Sequence, residues 1–155
     1  MSNGTKVKKR DGRIEALDLE KMHLMVEEAT RGLAGVSASQ VEMKSGIQFY
    51  DGITTAEIQE ILIKAASDLI DLDHPNYQFV AARLLLFALR KQLYGKMREM
   101  PHLEPHIMNC TNIDVYDKEI FAKYSKEEID KANSFIDHER DFLFTYAGLR
   151  QVVDK

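Results

Sequence analysis

Apolar residues recur at helical spacing along most of this chain. Met22, Leu24, Met25, Val26, Ala29 and Leu33 form most of a stripe behind Asp18, a residue type that caps helices, so a helix is expected from Asp18 to about Gly32. Val36, Val41, Met43 and Ile47 give a weaker buried side to a second helix, opened by Ser37 and ending near Phe49. Tyr50-Asp51-Gly52 reads as a turn. Thr54-Thr55-Ala56-Glu57 is a capping-box pattern leading into Ile58, Ile61, Leu62, Ala65, Ala66 and Leu69. Asp71 to Pro75 breaks this third helix, and Pro75 suits the first turn of a fourth that should run to about Met97. Between Phe79 and Leu89 only Arg83 is charged, which makes the fourth helix apolar nearly all round and the expected centre of a helical core. The cations at its far end, Arg90 and Lys91, are expected from the helix dipole alone.

From Met100 to about Asp117 the period lapses and prolines stand at 101 and 105, so this stretch reads as a connector. Ser125-Lys126-Glu127-Glu128 is a second capping box, opening a short helix to about Ser134. A last helix is expected from near Asp137, carrying Phe142, Leu143, Phe144, Tyr146, Leu149, Val152 and Val153. So short a segment cannot bury these side chains against itself, at roughly 1.5–3 kcal/mol for each large one. The chain is therefore expected to be a fragment of something longer, whether a truncated piece or a split-gene product, or to dock onto another polypeptide.

The N-terminal stretch departs from helical spacing. Asp11-Gly12 between two short segments signals a two-residue hairpin of type I′, with the flanking residues paired as strands. Lys6, Lys8, Lys9, Arg10 and Arg13 concentrate positive charge on it, although the 155-residue chain carries a formal charge of -4. That local reversal favours a compact polyanion over duplex DNA, whose binders need a broad basic face. Charge patterning alone also accommodates a solvated strand pair or a flexible basic tail.

With 45% hydrophobic and 30% charged residues, the chain can bury one core and a smaller appendage. No apolar run approaches the roughly 20 residues of a membrane span, and the N-terminus lacks the apolar block of a signal peptide; a cytoplasmic location is expected. The single cysteine, Cys110, excludes an intrachain disulfide. There is no glycine-rich phosphate loop. His102, His106 and Cys110 repeat at four-residue spacing, but Pro105 interrupts them and a fourth ligand is wanting, so no metal site is expected and Cys110 reads as a half-buried thiol. His138-Glu139-Arg140-Asp141 reads as a structural salt-bridge cluster at a helix start.

The basic hairpin, the phrase Ile47-Gln48-Phe49-Tyr50-Asp51-Gly52-Ile53-Thr54-Thr55 and the phrase Tyr77-Gln78-Phe79-Val80-Ala81-Ala82-Arg83-Leu84 occur in one order. Together they resemble the N-terminal part of the large (alpha) subunit of aerobic class I ribonucleoside-diphosphate reductases. The first ninety-five or so residues are similar to the ATP-cone, a regulatory module shared with anaerobic reductases and a zinc-containing repressor. The later phrases Asp114-Val115-Tyr116-Asp117, His138-Glu139-Arg140-Asp141-Phe142 and Phe144-Thr145-Tyr146-Ala147 resemble the segment leading into the catalytic barrel and make the likeness specific. The implied fold is mainly α: a four-helix core with a small N-terminal β-hairpin lid over residues 1–97, then a short helical connector over 98–155.

The resemblance implies an allosteric site for ATP or dATP, with Mg2+, and no redox cofactor. It places Lys9 and Arg10 on the triphosphate and Lys91 on its opposite side. Glu15, Ala16, Leu17, Asp18, Leu19, Glu20 and Lys21 would enclose the nucleotide, with Lys21 on phosphate and Glu15 toward the adenine. Thr55 adds a contact, and Val7, Met22 and Phe87 line the site. Asp18 stands where the family often has Asn, and Gln59 where it often has His; Asp lacks the amide donor, and Gln cannot become cationic. The implied partners are the catalytic remainder of the large subunit, the radical-generating small subunit reached through it, and a nucleotide-dependent oligomer, with no nucleic acid or membrane. Reductase chemistry needs a radical cysteine and a redox pair, so a one-cysteine chain is expected to regulate deoxyribonucleotide synthesis and not to catalyse it. The alternative is a degenerate cone that serves only as an oligomerisation or interaction module.

Overall fold

The segments flanking Asp11-Gly12 do pair as strands. In the computed structural model, which describes residues 4–155, β1 (Lys6–Lys8) and β2 (Ile14–Ala16) are antiparallel, with Val7 opposite Glu15 and Lys8 opposite Ile14. The first three residues of the expected 1–97 domain lie outside the described residues. The turn differs from the expected two-residue form. Lys9 N–H donates to the Arg13 carbonyl (2.8 Å), Gly12 N–H donates to the Lys9 carbonyl (3.0 Å), and of the turn residues only Gly12 takes positive φ, +85°. This is a three-residue connection with a bulge at Gly12. Asp11 keeps negative φ and its carboxylate accepts the Arg13 N–H (3.1 Å).

A third strand, β3 (Ile53–Thr54), was not legible in the pattern. It runs parallel to β1 with Val7 opposite Ile53 and Lys8 opposite Thr54, giving the order β2-β1-β3. Val7 and Ile53 are both buried. The Asp51 carboxylate accepts the Lys6 N–H (2.8 Å), and Gly52, at φ +87°, donates its N–H to the Lys6 carbonyl (2.8 Å). The expected lid is therefore stitched to the core along β1. Only the turn and β2, whose residues are exposed, stand clear of it.

The helices follow their caps. α1 (Leu19–Thr30) starts where Asp18 accepts the Lys21 N–H (2.9 Å), and it buries Val26 and Ala29 while Leu24 stays exposed. α2 (Ala38–Gly46) starts at Ser37 and buries Val41 and Ser45. Met43 and Ile47, expected on its buried side, are 71% and 88% exposed, because the Val41/Ser45 face points inward and they fall off it. α3 (Thr55–Ser67) opens with the full capping box: Glu57 N–H donates to the Thr54 hydroxyl, and the Glu57 carboxylate accepts the Thr54 N–H (2.8 Å). α4 (Tyr77–Tyr94) supplies the core with Val80, Ala81, Leu84, Leu85 and Phe87, alongside Leu62, Ile63, Ala65 and Ala66 of α3. Each large aliphatic among them contributes about 1.5–3 kcal/mol. The buried Tyr77 hydroxyl donates to Gln40 (2.9 Å) and accepts the Ser37 N–H (3.0 Å), joining the starts of α2 and α4.

Contacts cluster into two units. One runs up to Leu89 and resumes over Phe142–Lys155; the other is Arg90–Asp141. The second holds α5 (Leu103–Asn112), α6 (Ile120–Lys123) and α7 (Lys126–Ser134, with its expected capping box at Ser125). α5 occupies the stretch read as a connector. Pro105 lies in its first turn, where the missing N–H has no intrahelical acceptor to lose, and Asn133 of α7 accepts the Leu103 N–H (2.8 Å). Arg90, read as a dipole cation, is a buried anchor: it donates to the Asp141 carboxylate (2.8 Å) and the His138 carbonyl (3.2 Å). The expected last helix is two pieces, a 3-10 turn over His138–Leu143 and α8 (Tyr146–Val153), capped by Thr145. Leu149 is buried in the first unit, so part of the stripe expected to seek another polypeptide is covered within this chain, while Leu143 and Val152 remain exposed. Among the described residues no helix is long and apolar enough to cross a membrane.

Thr54→Ala removes the cap and is expected to cost about 1 kcal/mol, read as a lower urea midpoint at unchanged slope. His23 and Glu42 join α1 to α2 at 2.7 Å, and the Glu42 carboxylate holds the His23 imidazole above its ordinary pKa. The pair's contribution is therefore full below the unfolded histidine value of about 6.5 and fades as pH rises through the elevated folded value. NMR titration should show Glu42→Gln returning His23 toward its ordinary pKa; an unmoved titration contradicts the assignment.

Candidate nucleotide-binding site

Side chains alternate along β1, so Val7 and Lys9 face one side of the sheet and Lys8 the other. Val7 is buried and Lys9 half-buried, its side chain 28% exposed. Glu15 lies opposite Val7, hence diagonal to Lys9, and its carboxylate reaches the Lys9 Nζ at 3.3 Å. The other Glu15 oxygen meets Arg13 Nη1 at 3.1 Å, and Arg13 Nε donates to Asp11 at 2.7 Å. The Arg13 N–H, then its guanidinium, holds the Asp11 carboxyl below its ordinary pKa, and Asp11 raises Arg13 in return. The hairpin is thus less positive than its cation count, since Lys9 and Arg13 already carry their own anions.

Residues 15–21 form one continuous path from β2 into the first turn of α1. Ala16 pairs with Lys6, Leu17 N–H donates to the Thr5 carbonyl (2.9 Å), and Asp18 caps the helix, leaving Leu19, Glu20 and Lys21 exposed on its opening turn. Arg10 sits in the turn. Lys8 is opposite Thr54, so Lys9 and Thr55 leave the β1–β3 ladder from the same end. Lys91 is carried by α4 within the second unit.

Gln59 lies one turn beyond Thr55 on the same face of α3. It is 9% exposed, and its side-chain amide makes no hydrogen bond among the described residues. The amide atoms themselves still reach solvent, so the group is open to a ligand without being an unsatisfied buried one. The i, i+4 spacing of Thr55 and Gln59 was the signal in the sequence. Asp51 and β3, which fix the height of β1 beside them, gave none. In the second unit His106 and Cys110 do share a helix face, 3.7 Å apart, because Pro105 leaves α5 unbroken; among the described residues no group of three His, Cys, Asp or Glu side chains gathers to hold a metal ion.

Residues 5–92 match the ATP cone domain family. The chain belongs to the ATP-cone family. This cone and the residues after it are 46% identical, over all 155 residues, to ribonucleoside-diphosphate reductase 1 subunit alpha of Escherichia coli (strain K12), and 45% identical over 155 residues to ribonucleoside-diphosphate reductase subunit alpha of Haemophilus influenzae. The alpha subunit of Enterobacteria phage T4 is 42% identical over 149 residues, 95% of the chain. The chain spans 20% of the length of the first two relatives and 19% of the third, the N-terminal part of those subunits.

Gln59→Met, which keeps the shape and deletes the amide, should weaken nucleotide binding and shift the urea midpoint little, because the amide already reaches solvent. Loss of stability would show that Gln59 has a structural partner instead.

Proposed function

We propose that this chain is the nucleotide-operated regulatory region of a ribonucleoside-diphosphate reductase large subunit, binding ATP or dATP to control the reduction of ribonucleotides. The observation that carries this reading is the placement of half-buried Lys9 and of Thr55 at one end of the sheet, in a chain of the ATP-cone family. Lys9, Arg10 and Lys21 are assigned to the triphosphate, as charge-assisted donors worth about 1.5–3 kcal/mol each. Lys91 joins them on the family resemblance. Glu15 to Glu20 enclose the nucleoside, and Thr55 and Gln59 supply neutral hydrogen bonds. Mg2+ is assigned to phosphate oxygens, its usual place.

A nucleotide shifts an equilibrium only by its differential affinity for the two states, so ATP and dATP act differently only if the ribose alters how the site closes. The partners proposed are the catalytic remainder of the large subunit, the small subunit reached through it, and a nucleotide-dependent oligomer. One observation favours a second reading, a cone that no longer binds nucleotide and only mediates contacts: Lys9 and Arg13 are already neutralised by Glu15 and Asp11.

Titration calorimetry separates the two. Both nucleotides should bind, and Lys9→Ala and Lys91→Ala should each weaken dATP about tenfold, roughly 1.4 kcal/mol, with circular dichroism unchanged. Binding of neither nucleotide at millimolar concentration selects the interaction module, and normal binding by both variants removes the two lysines from the site.

A further inference from the structure

Residues 142–153 return to the first unit and touch helices that also carry the proposed nucleotide contacts. The Phe142 ring meets Phe87 of α4 edge to face, with centroids 6.2 Å apart, and lies under the Arg83 guanidinium at 5.3 Å. Arg83 in turn donates to the carbonyls of Arg31 (2.8 Å) and Ala29 (3.3 Å), closing the C-terminal end of the helix whose first turn holds Leu19 to Lys21. From α8, buried Leu149 anchors the segment, and Arg150 reaches Glu60 of α3 at 3.1 Å while donating to the Tyr146 hydroxyl (3.2 Å). Glu60 follows Gln59 directly, about 100° round the helix.

Two helices that carry proposed nucleotide contacts thus touch this segment, α3 through Glu60 and α4 through Arg83 and Phe87, and Arg83 links α1 to it indirectly. We propose that Phe142–Val153 is the output arm of the nucleotide site, with Arg83–Phe142 and Glu60–Arg150 as the two contacts through which the site biases it. The proposal rests on the nucleotide reading above. Close-packed helices shift between discrete arrangements and do not deform continuously, so a nucleotide that draws in Thr55 and Gln59 turns Glu60 with them. Reciprocity then requires that fixing the arm alter the site. Glu60, Arg150 and Phe142 are positioning residues, since none is assigned to the ligand.

Hydrogen exchange on the full 155-residue chain, with dATP as the probe, tests the coupling. Saturating dATP should slow amide exchange in α8 at least about threefold relative to α5 and α7, which serve as the internal reference. Arg150→Gln and, independently, Phe142→Leu should leave dATP affinity within about twofold yet reduce that slowing, and Glu60→Arg combined with Arg150→Glu should restore it. The proposal is overturned if dATP binds while α8 exchange is unchanged, if α5 slows equally, or if both single variants keep the full effect. A chain that binds no dATP overturns the nucleotide reading itself, an outcome distinct from binding without coupling.

Discussion

The junction at Ile53–Thr54 is the constraint on which the rest of the first unit depends. Two residues perform two tasks there. Their backbone pairs in parallel with Val7 and Lys8, and the Thr54 side chain caps the first turn of α3. Parallel pairing joins segments far apart in sequence, and here it fixes a hairpin at the start of the chain to the core helix that begins at Thr55. The buried Val7–Ile53 contact sets the register. A slip of one residue would turn Lys9 away and expose Val7.

That placement gives the hairpin's electrostatics their meaning. Lys9, Glu15, Arg13 and Asp11 form an alternating chain of charges on a largely exposed surface. Pairs of this kind contribute little to stability in water, so a polyanion could replace Glu15 on Lys9 at small cost. In the proposed site, the anchored part, β1 with Thr55 and Gln59, would then meet an adjustable part made of the turn, β2 and the opening of α1. A site so divided can respond to a ligand without unfolding.

Local chemistry made the caps legible. Asp18, Ser37, Thr54, Ser125 and their partners three residues on are where the sequence put them, because capping is decided within one turn of helix. The proposed site was legible in part: the run 15–21 is continuous in space because it is continuous in sequence, and Thr55 and Gln59 share a face by spacing. The hairpin turn differs for a local reason, the bulge at Gly12, but three other differences share one cause. The two-residue bond pattern of β3 comes from β1, the start of α5 is satisfied by Asn133 from α7, and Met43 and Ile47 are exposed because the core engages another face of α2. In each case the deciding partner lies tens of residues away.

The sequence by itself determined the mainly helical architecture, the helix starts, the basic hairpin and membership in the ATP-cone family, since all of these follow from short-range periodicity, capping and motif order. Only the tertiary structure decided that the hairpin is anchored along β1, that Arg90 is a buried anchor bound to Asp141, and that the C-terminal segment folds back onto α3 and α4. Those features arise from pairings between distant residues, whose geometry no local pattern encodes.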